Sequence, residues 1–273
     1  ALVRKSQAPV PNVEYCIWDG RTAGKWTAEL EGALAVINLA GKSVNCRYTE
    51  KNKSEIYRSR LESTTVLGQA IASCKNPPKV WLNAASATIY EHSLQQGNTE
   101  TNGRIGKGFS VDVCQKWEHC FNSFDLPETR QIVLRTSIVL GKNGGVMVPF
   151  KRLVRCGAGG KMGNGLQQFS WIHELDVCRA IEWLILNENS SGVYNLAAPN
   201  PLTNAEFMSQ LRKKMHIPVG IPQPVWLLKA GAFLIGTETE LILKSRFVLP
   251  ERLLNSGFKF SFPAMNGCLD DLI

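Results

Sequence analysis

Short apolar runs alternate along the chain with longer stretches in which apolar residues recur at helical spacing. Val13–Trp18, Ala35–Leu39, Val80–Ala85, Gln131–Thr136 and Val193–Ala197 are short, mainly apolar runs, and each reads as a strand of a sheet with covered faces. Between them, Ile56, Leu61, Val66 and Ile71 recur near the helical period and predict a helix over about Glu50–Ser73. Further helices are expected over about Ser110–Phe124 and Leu175–Leu186. Continuous apolar strands separated by amphipathic helices predict a parallel sheet covered on both faces. The first residues, Ala1–Lys5, read as the end of a buried strand running into a basic turn, as though the chain starts inside a fold.

Beyond Ala197 the texture changes. Pro199, Pro201, Pro218, Pro222 and Pro224 punctuate short helices in place of further strand–helix units, which predicts a smaller, mainly helical lobe. Its first helix opens on Thr203-Asn-Ala-Glu206, the spacing of a capping box. The expected division is residues 1–145 plus 174–198 for the sheet domain and 146–173 plus 199–273 for the smaller lobe. The apolar segment Trp226–Ile235 reads as core of that lobe, with a homodimer contact as its other use.

Composition narrows the function classes. The formal net charge is +8, yet the basic residues are dispersed and mixed with acids, and no aromatic residues interleave with them, so nucleic-acid binding is not expected. The eight cysteines include no Cys-x-x-Cys pair and no histidine at ligand spacing, which suggests reduced thiols in a cytoplasmic protein and no metal site. No run approaches the roughly 18 apolar residues of a membrane helix.

A series of short motifs follows in fixed order. Val36-Ile-Asn-Leu-Ala-Gly41 succeeds a strand, Ser59-Arg60 lies in the next helix, and Ser86-Ala-Thr-Ile-Tyr90 succeeds the next strand. Then come Lys116-Trp117-Glu118, Leu134-Arg135-Thr136, Val139-Leu140-Gly141, Gly163-Asn-Gly165, Phe169-Ser-Trp-Ile-His173 with Asp176, and Tyr194-Asn195-Leu196. In this order and spacing the chain resembles, over nearly its whole length, the epimerase-family members of the extended short-chain dehydrogenase/reductases. The resemblance implies an α/β fold, a Rossmann-type doubly wound parallel sheet with a smaller substrate lobe. It also implies a nicotinamide cofactor and oxidoreductase or isomerase chemistry on a small polar substrate, anionic or nucleotide-linked. One departure is large: the family opens with a strand and a glycine-rich turn that holds the pyrophosphate, and this sequence has neither. The expectation is an N-terminal strand–helix segment of roughly 30 residues missing from the sequence; the other reading is a lost phosphate clamp.

Arg4 and Lys5 fall where a Rossmann fold meets the adenosine ribose, and two cations without an acid favour NADP(H) over NAD(H); an exposed basic turn is the plainer reading. The resemblance places Asn38, Leu39, Ala40 and Gly41 against the adenosine, and adds Arg60, Ala84 and Arg135 to the cofactor side. Arg135 alternatively pairs with Glu118. Ser86 matches the serine that contacts substrate oxygen in catalytic members, with Thr88 and Tyr90 in the same loop. The family's acid–base pair is a tyrosine and a lysine four positions later, the lysine lowering the phenol pKa. Here Ser110 and Cys114 hold those positions, so Tyr90 and Lys116 are the candidate replacements. Arg155, Trp171 and His173 complete the expected substrate side, with His173 otherwise a helix cap. The absent pair leaves open a non-catalytic NADP-binding protein that regulates a partner.

Overall fold

A computed structural model describes residues 1–234, 238 and 240–273. Strand β1 (Leu2–Val3) pairs in parallel with β2 (Cys16–Ile17), and β3 (Ala35–Asn38) leads into helix α1 (Glu50–Ala72). Next come β4 (Val80–Ser86), α2 (Phe109–Asn122), β5 (Arg130–Thr136), β6 (Ile138–Leu140) and α3 (Met147–Arg155). The chain continues through β7 (Gln168–Phe169), β8 (Trp171–His173), α4 (Glu174–Leu186), β9 (Gly192–Leu196) and β10 (Leu202–Thr203). It ends with α5 (Asn204–Lys214), α6 (Val225–Leu234), α7 (Glu240–Leu243), α8 (Glu251–Asn255) and α9 (Met265–Leu272).

The central sheet is parallel in the order β3-β4-β5-β9. Its strands are apolar on both faces because both are covered. On one side α1 and α2 bury Val66, Leu67, Ile71 and Phe121 against Trp81. Gly68 lets Phe124 lie against α1: a Cβ there would stand 2.5 Å from the Phe124 ring. On the other side Leu82, Ile132 and Leu134 meet Ala180 and Leu184 of α4, joined by Leu253 and Phe258. This is the doubly wound Rossmann-type arrangement expected from the sequence, and it puts the carboxyl ends of β3, β4 and β5 on one edge, where ligands of such sheets bind.

A third core gathers Met147, Val154, Phe169, Trp171, Phe207, Leu211 and Leu269, with Phe169 stacked on Phe207 at 4.3 Å. The capping box of α5 is present in full, Thr203 and Glu206 each satisfying the other's backbone amide. Trp226 corrects one expectation: at 70% exposure it faces solvent, and Leu228 is the residue of that turn that packs inward. Ile235, the last residue of the expected apolar segment, lies outside the described residues. The segment Val13–Trp18 is a strand only at Cys16–Ile17. No described helix is long and apolar enough to cross a membrane.

Strands β1 and β3 are each hydrogen-bonded to one neighbour, and both border the same cavity. The core under α1 reaches across it, since Leu2 and Cys16 pack with Val36 on the same apolar cluster.

Candidate functional site

At the end of β3, Asn38 is buried and its amide donates to Asn83 Oδ1 at 2.7 Å. Asn38 Oδ1 in turn accepts from Ala40 N at 3.0 Å. Thr64 joins this network, and Trp117 Nε1 donates to its hydroxyl at 2.9 Å. A buried polar group must find partners, so this chain of four side chains fixes the exit of β3 relative to β4, α1 and α2. The following loop is tied down by Lys42 N, which donates to Ser59 Oγ, and by Arg60 Nη1, which donates to Lys42 O at 3.0 Å. Leu39, Ala40 and Gly41 then line a cavity of about 1330 Å³ together with Arg4. Ala84 stays within β4, half-buried, and Lys5 is exposed beside the cavity's Arg4.

At the end of β4, Ser86 Oγ accepts from Thr88 N at 3.2 Å and caps a single turn, Ala87–Ile89. Tyr90 follows, but it is buried, and its hydroxyl donates to Asn195 Oδ1 and accepts from Arg135 Nη1, both at 2.9 Å. Gly103 makes the room, since a Cβ there would stand 2.2 Å from the Tyr90 ring. Arg135 holds Glu118 through two hydrogen bonds of 2.9 and 2.7 Å. Its guanidinium is therefore engaged inside the fold, the ion-pair alternative, and Tyr90 is part of the same internal network. Burial pushes the Tyr90 phenol above its ordinary pKa, which opposes the catalytic role expected of it.

Helix α2 sorts its residues by face. Ser110, Cys114 and Trp117 are buried toward the sheet edge, whereas Lys116 is on the outer face, paired with Asp112 at 2.8 Å and lying over Tyr57. Lys116 is thus turned away from Ser86. What approaches Ser110 instead is Tyr48, whose hydroxyl lies 3.3 Å from Ser110 Oγ, and Ser110 Oγ in turn donates to Glu240 Oε2 at 3.4 Å. From the segment after α7, Lys244 Nζ donates to Thr88 O at 2.8 Å and Arg246 Nε reaches Thr88 Oγ1 at 3.4 Å. Burial draws both cations below their ordinary pKa. Arg60 stacks on Trp117 at 5.0 Å and is close enough to Tyr48 and Cys114 to sense their charge. Three cations, one phenol, three hydroxyls and one carboxylate therefore converge at the ends of β3 and β4.

The expected substrate residues of the other lobe are elsewhere. Trp171 is fully buried in the third core. His173 is the cap of α4: Nδ1 accepts from Leu175 N at 3.0 Å, Nε2 meets Asp271, and the ring stacks on Phe262. Arg155 stands exposed on the last turn of α3. A buried ring in a close-packed core and an imidazole used up by a helix end cannot also line a ligand cleft.

With this geometry, the comparisons become informative. Residues 3–197 match the NAD-dependent epimerase/dehydratase family model. The chain belongs to that family. Residues 223–272 match a second model, described as a domain of unknown function, DUF1731. An epimerase family protein of Staphylococcus epidermidis is 32% identical over 96% of this chain and 86% of its own length, and one of Staphylococcus aureus is 34% identical over 87% and 78%. Among solved structures, the human epimerase family protein SDR39U1 (isoform 2), crystallised with NADPH, superposes with a TM-score of 0.87 at 30% identity, over 99% of this chain and 89% of that one. A nucleoside-diphosphate sugar epimerase from Corynebacterium glutamicum follows with a TM-score of 0.75 at 27% identity, over 98% of this chain and 51% of that one.

The residues present fit the adenosine end of a dinucleotide. The cavity exceeds the roughly 300–1,000 Å³ of ordinary ligand sites, small residues at Ala40 and Gly41 admit a close approach, and Arg4 stands on its rim. No glycine-rich turn is among the residues that line it. Tyr48, Glu240, Lys244 and Arg246 escaped the sequence reading. Tyr48 carried one usable signal, its place in the loop after a strand's carboxyl end; the other three lie more than 150 residues from Thr88 or Ser86 in sequence, and nothing local marks them.

Proposed function

We propose that this protein is an NADP(H)-dependent oxidoreductase or epimerase acting on a small polar, anionic substrate at the carboxyl edge of the sheet. The observation that carries the cofactor reading is the joint lining of one cavity by Arg4 and the Asn38–Gly41 turn. A guanidinium there suits the 2′-phosphate that distinguishes NADP from NAD. The NADPH held by the human relative supports the same preference. For the substrate, Lys244 and Arg246 both reach Thr88 in the loop that carries Ser86, and cations in partly buried surroundings favour an anion.

When bound, the cofactor supplies or accepts a hydride. This chain's own residues do the rest: Arg4 and the Asn38–Gly41 turn hold the adenosine end, Ser86 offers a hydroxyl to the reacting oxygen, and Lys244 and Arg246 orient the anionic group. Calorimetric titration of the full-length protein with NADPH, and separately with NADH, tests the cofactor. NADPH should bind more tightly, and Arg4→Ala should remove at least tenfold of that advantage while leaving NADH unchanged. Equal affinity for both would refute the preference.

A second reading has its own observation. Helix α2 carries Ser110 and Cys114 where the family pattern has tyrosine and lysine, which favours a cofactor-binding protein that regulates a partner without turnover. NADPH-consuming activity abolished by Ser86→Ala would exclude it.

A further inference from the structure

Residues 146–173 and 207–237 hold eight of the chain's 31 lysines and arginines and none of its 23 acids, so the other 23 cations match the acids and the formal charge of +8 resides in these two stretches. Far apart in sequence, the two are joined by the fold. Ile221 N donates to Gly157 O at 2.8 Å and Gln223 N to Lys161 O at 2.9 Å, while Gly160 N and Gly163 N return bonds to Ile221 O and Gln223 O. Gly160 permits the contact, since a Cβ there would stand 2.4 Å from the Ile221 carbonyl. Lys214 is paired with Asp270 and Lys151 reaches Leu272 O. Arg152, Arg155, Lys161, Lys213 and Lys229 are exposed and, among the described residues, form no ion pair.

The stretch framed by these cations turns apolar side chains outward. Val219 and Ile221 are 63% and 61% exposed, Val225, Trp226 and Leu227 are exposed at the start of α6, and Leu228 packs inward beneath them. Gln223 is buried, so between Ile217 and Gly231 the exposed polar groups are Lys229 and the polar edge of the Trp226 indole. Three occupants compete for such a patch. A protein partner asks for the hydrogen bonds of an ordinary interface, about one per 100–200 Å², and this stretch has almost none to give. A second copy docked about a two-fold axis would set the same cations against each other, and like charges brought together cost affinity. A bilayer asks only for apolar side chains at headgroup depth, an indole at the boundary and cations around them to meet anionic lipid.

We propose that this face, the 217–222 loop and the start of α6 with its rim of cations, docks the protein on an anionic membrane surface. Val219, Ile221 and Trp226 enter the boundary between headgroups and acyl chains, and Arg155, Lys161, Lys213 and Lys229 meet the lipid phosphates. The chain lies on the bilayer and does not cross it. Docking is separate from the cofactor reading, because no residue of the patch lines the cavity beside Arg4.

The test is flotation of the full-length protein with vesicles of phosphatidylcholine and phosphatidylglycerol, and with vesicles of phosphatidylcholine alone. The anionic vesicles should bind it at least about tenfold more tightly. Raising the salt from about 0.1 to about 1 M, which shortens the screening length from about 10 to about 3 Å, should remove most of that difference. Trp226 is the exposed one of the seven tryptophans, so lipid brominated near the headgroup should quench its emission and spare the other six. Trp226→Glu should weaken vesicle binding by at least about tenfold, and Lys213→Gln combined with Lys229→Gln by a similar factor, with NADPH affinity and the urea midpoint unchanged in both. The proposal is overturned if the protein does not float with anionic vesicles at low salt, or if both variants float as well as the parent. A light-scattering mass that doubles with concentration and returns to the monomer in Trp226→Glu would assign the face to a second copy. Tight capture by soluble polyglutamate without vesicle binding would assign it to an acidic protein, and either result overturns the membrane.

Discussion

Glu118 and Arg135 meet through two hydrogen bonds, with side chains only 9% and 12% exposed, and Tyr90 completes the arrangement from the neighbouring strand end. Removing one partner of such a pair leaves a buried charge without compensation, which costs about 3–5 kcal/mol, whereas replacing both by apolar groups is often nearly neutral. Arg135→Met should therefore lower the urea-unfolding free energy by about that amount, and adding Glu118→Leu should recover most of it. Tyr90→Phe should cost about 1–3 kcal/mol through unsatisfied partners and leave NADPH affinity unchanged; a large loss of turnover without a loss of stability would return Tyr90 to the chemistry. Two buried thiols supply a pH test. Burial first, and then Glu118 for Cys114 or Asp271 for Cys268, pushes each thiol from an ordinary 9.0 to about 12. Below pH 9 both folded and unfolded chains keep these protons, so the full stability is present. Above it the unfolded chain releases them and the folded chain does not, so stability is lost as pH rises toward the folded value, by about 1.4 kcal/mol per pH unit for each thiol. Cys268→Ala should reduce the measured slope of unfolding free energy between pH 9 and 11 by about one thiol's share; an unchanged slope would show that Cys268 is ionised or solvated in the fold.

Elements differ in how much of them a sequence reveals. Helix α1 runs over Glu50–Ala72 against an expected Glu50–Ser73, because its apolar period and its Thr49 cap act locally. The four strands of the central sheet likewise follow from apolar runs that need cover on both faces. The short strand β2 and the solvent-facing start of α6 were misjudged for the opposite reason: apolar composition alone does not say which neighbours exist to cover a segment. His173 shows the same limit on a single residue, since whether it caps a helix or faces a ligand depends on backbone amides brought to it only by the fold. Asp176, two positions into the first turn of α4 from Glu174, is fully buried and accepts from the backbone of Ser261 at 2.8 Å and of Phe262 at 2.8 Å. It is what fastens the approach to α9 onto α4. Asp176→Ala would leave two part-buried amides without their acceptor and should cost about 2–3 kcal/mol in urea unfolding, against the roughly 1 kcal/mol expected for Thr203→Ala at the cap of α5. Similar costs for the two would mean that water replaces the carboxylate.

Across the whole molecule, the candidate site is assembled from the β3 exit, the β4 exit, the start of α2 and residues 240–246, and only the first three are recognisable as parts of one place from their order in the chain. The fourth belongs to a segment whose continuation is stitched to both sides. Asn98 N donates to Phe247 O at 2.8 Å, Ser170 N to Arg246 O at 3.1 Å, and Asn195 Nδ2 to Leu249 O at 3.0 Å. These bonds join the loop after β4, the approach to β8 and the end of β9, and so link the third core to the sheet. We expect the sheet domain, 1–145 plus 174–198, and the remainder, 146–173 plus 199–273, to unfold as one cooperative unit in spite of their separate apolar clusters. Two tryptophans make this measurable. Trp81 lies in the core under α1 and Trp171 in the third core, both fully buried, and among the described residues neither indole nitrogen has a hydrogen-bond partner. Replacing either by Phe therefore removes an unsatisfied donor along with some packing, and the chain should still fold. The fluorescence lost in Trp81→Phe and that lost in Trp171→Phe report the two cores separately. Coincident urea midpoints for the two difference signals, moving up together on saturation with NADPH by the few kcal/mol that ligation of the native state supplies, are the expected result. A Trp171 transition that comes first and ignores NADPH would mean that the third core opens independently, and Lys244 and Arg246 would then leave the site with it.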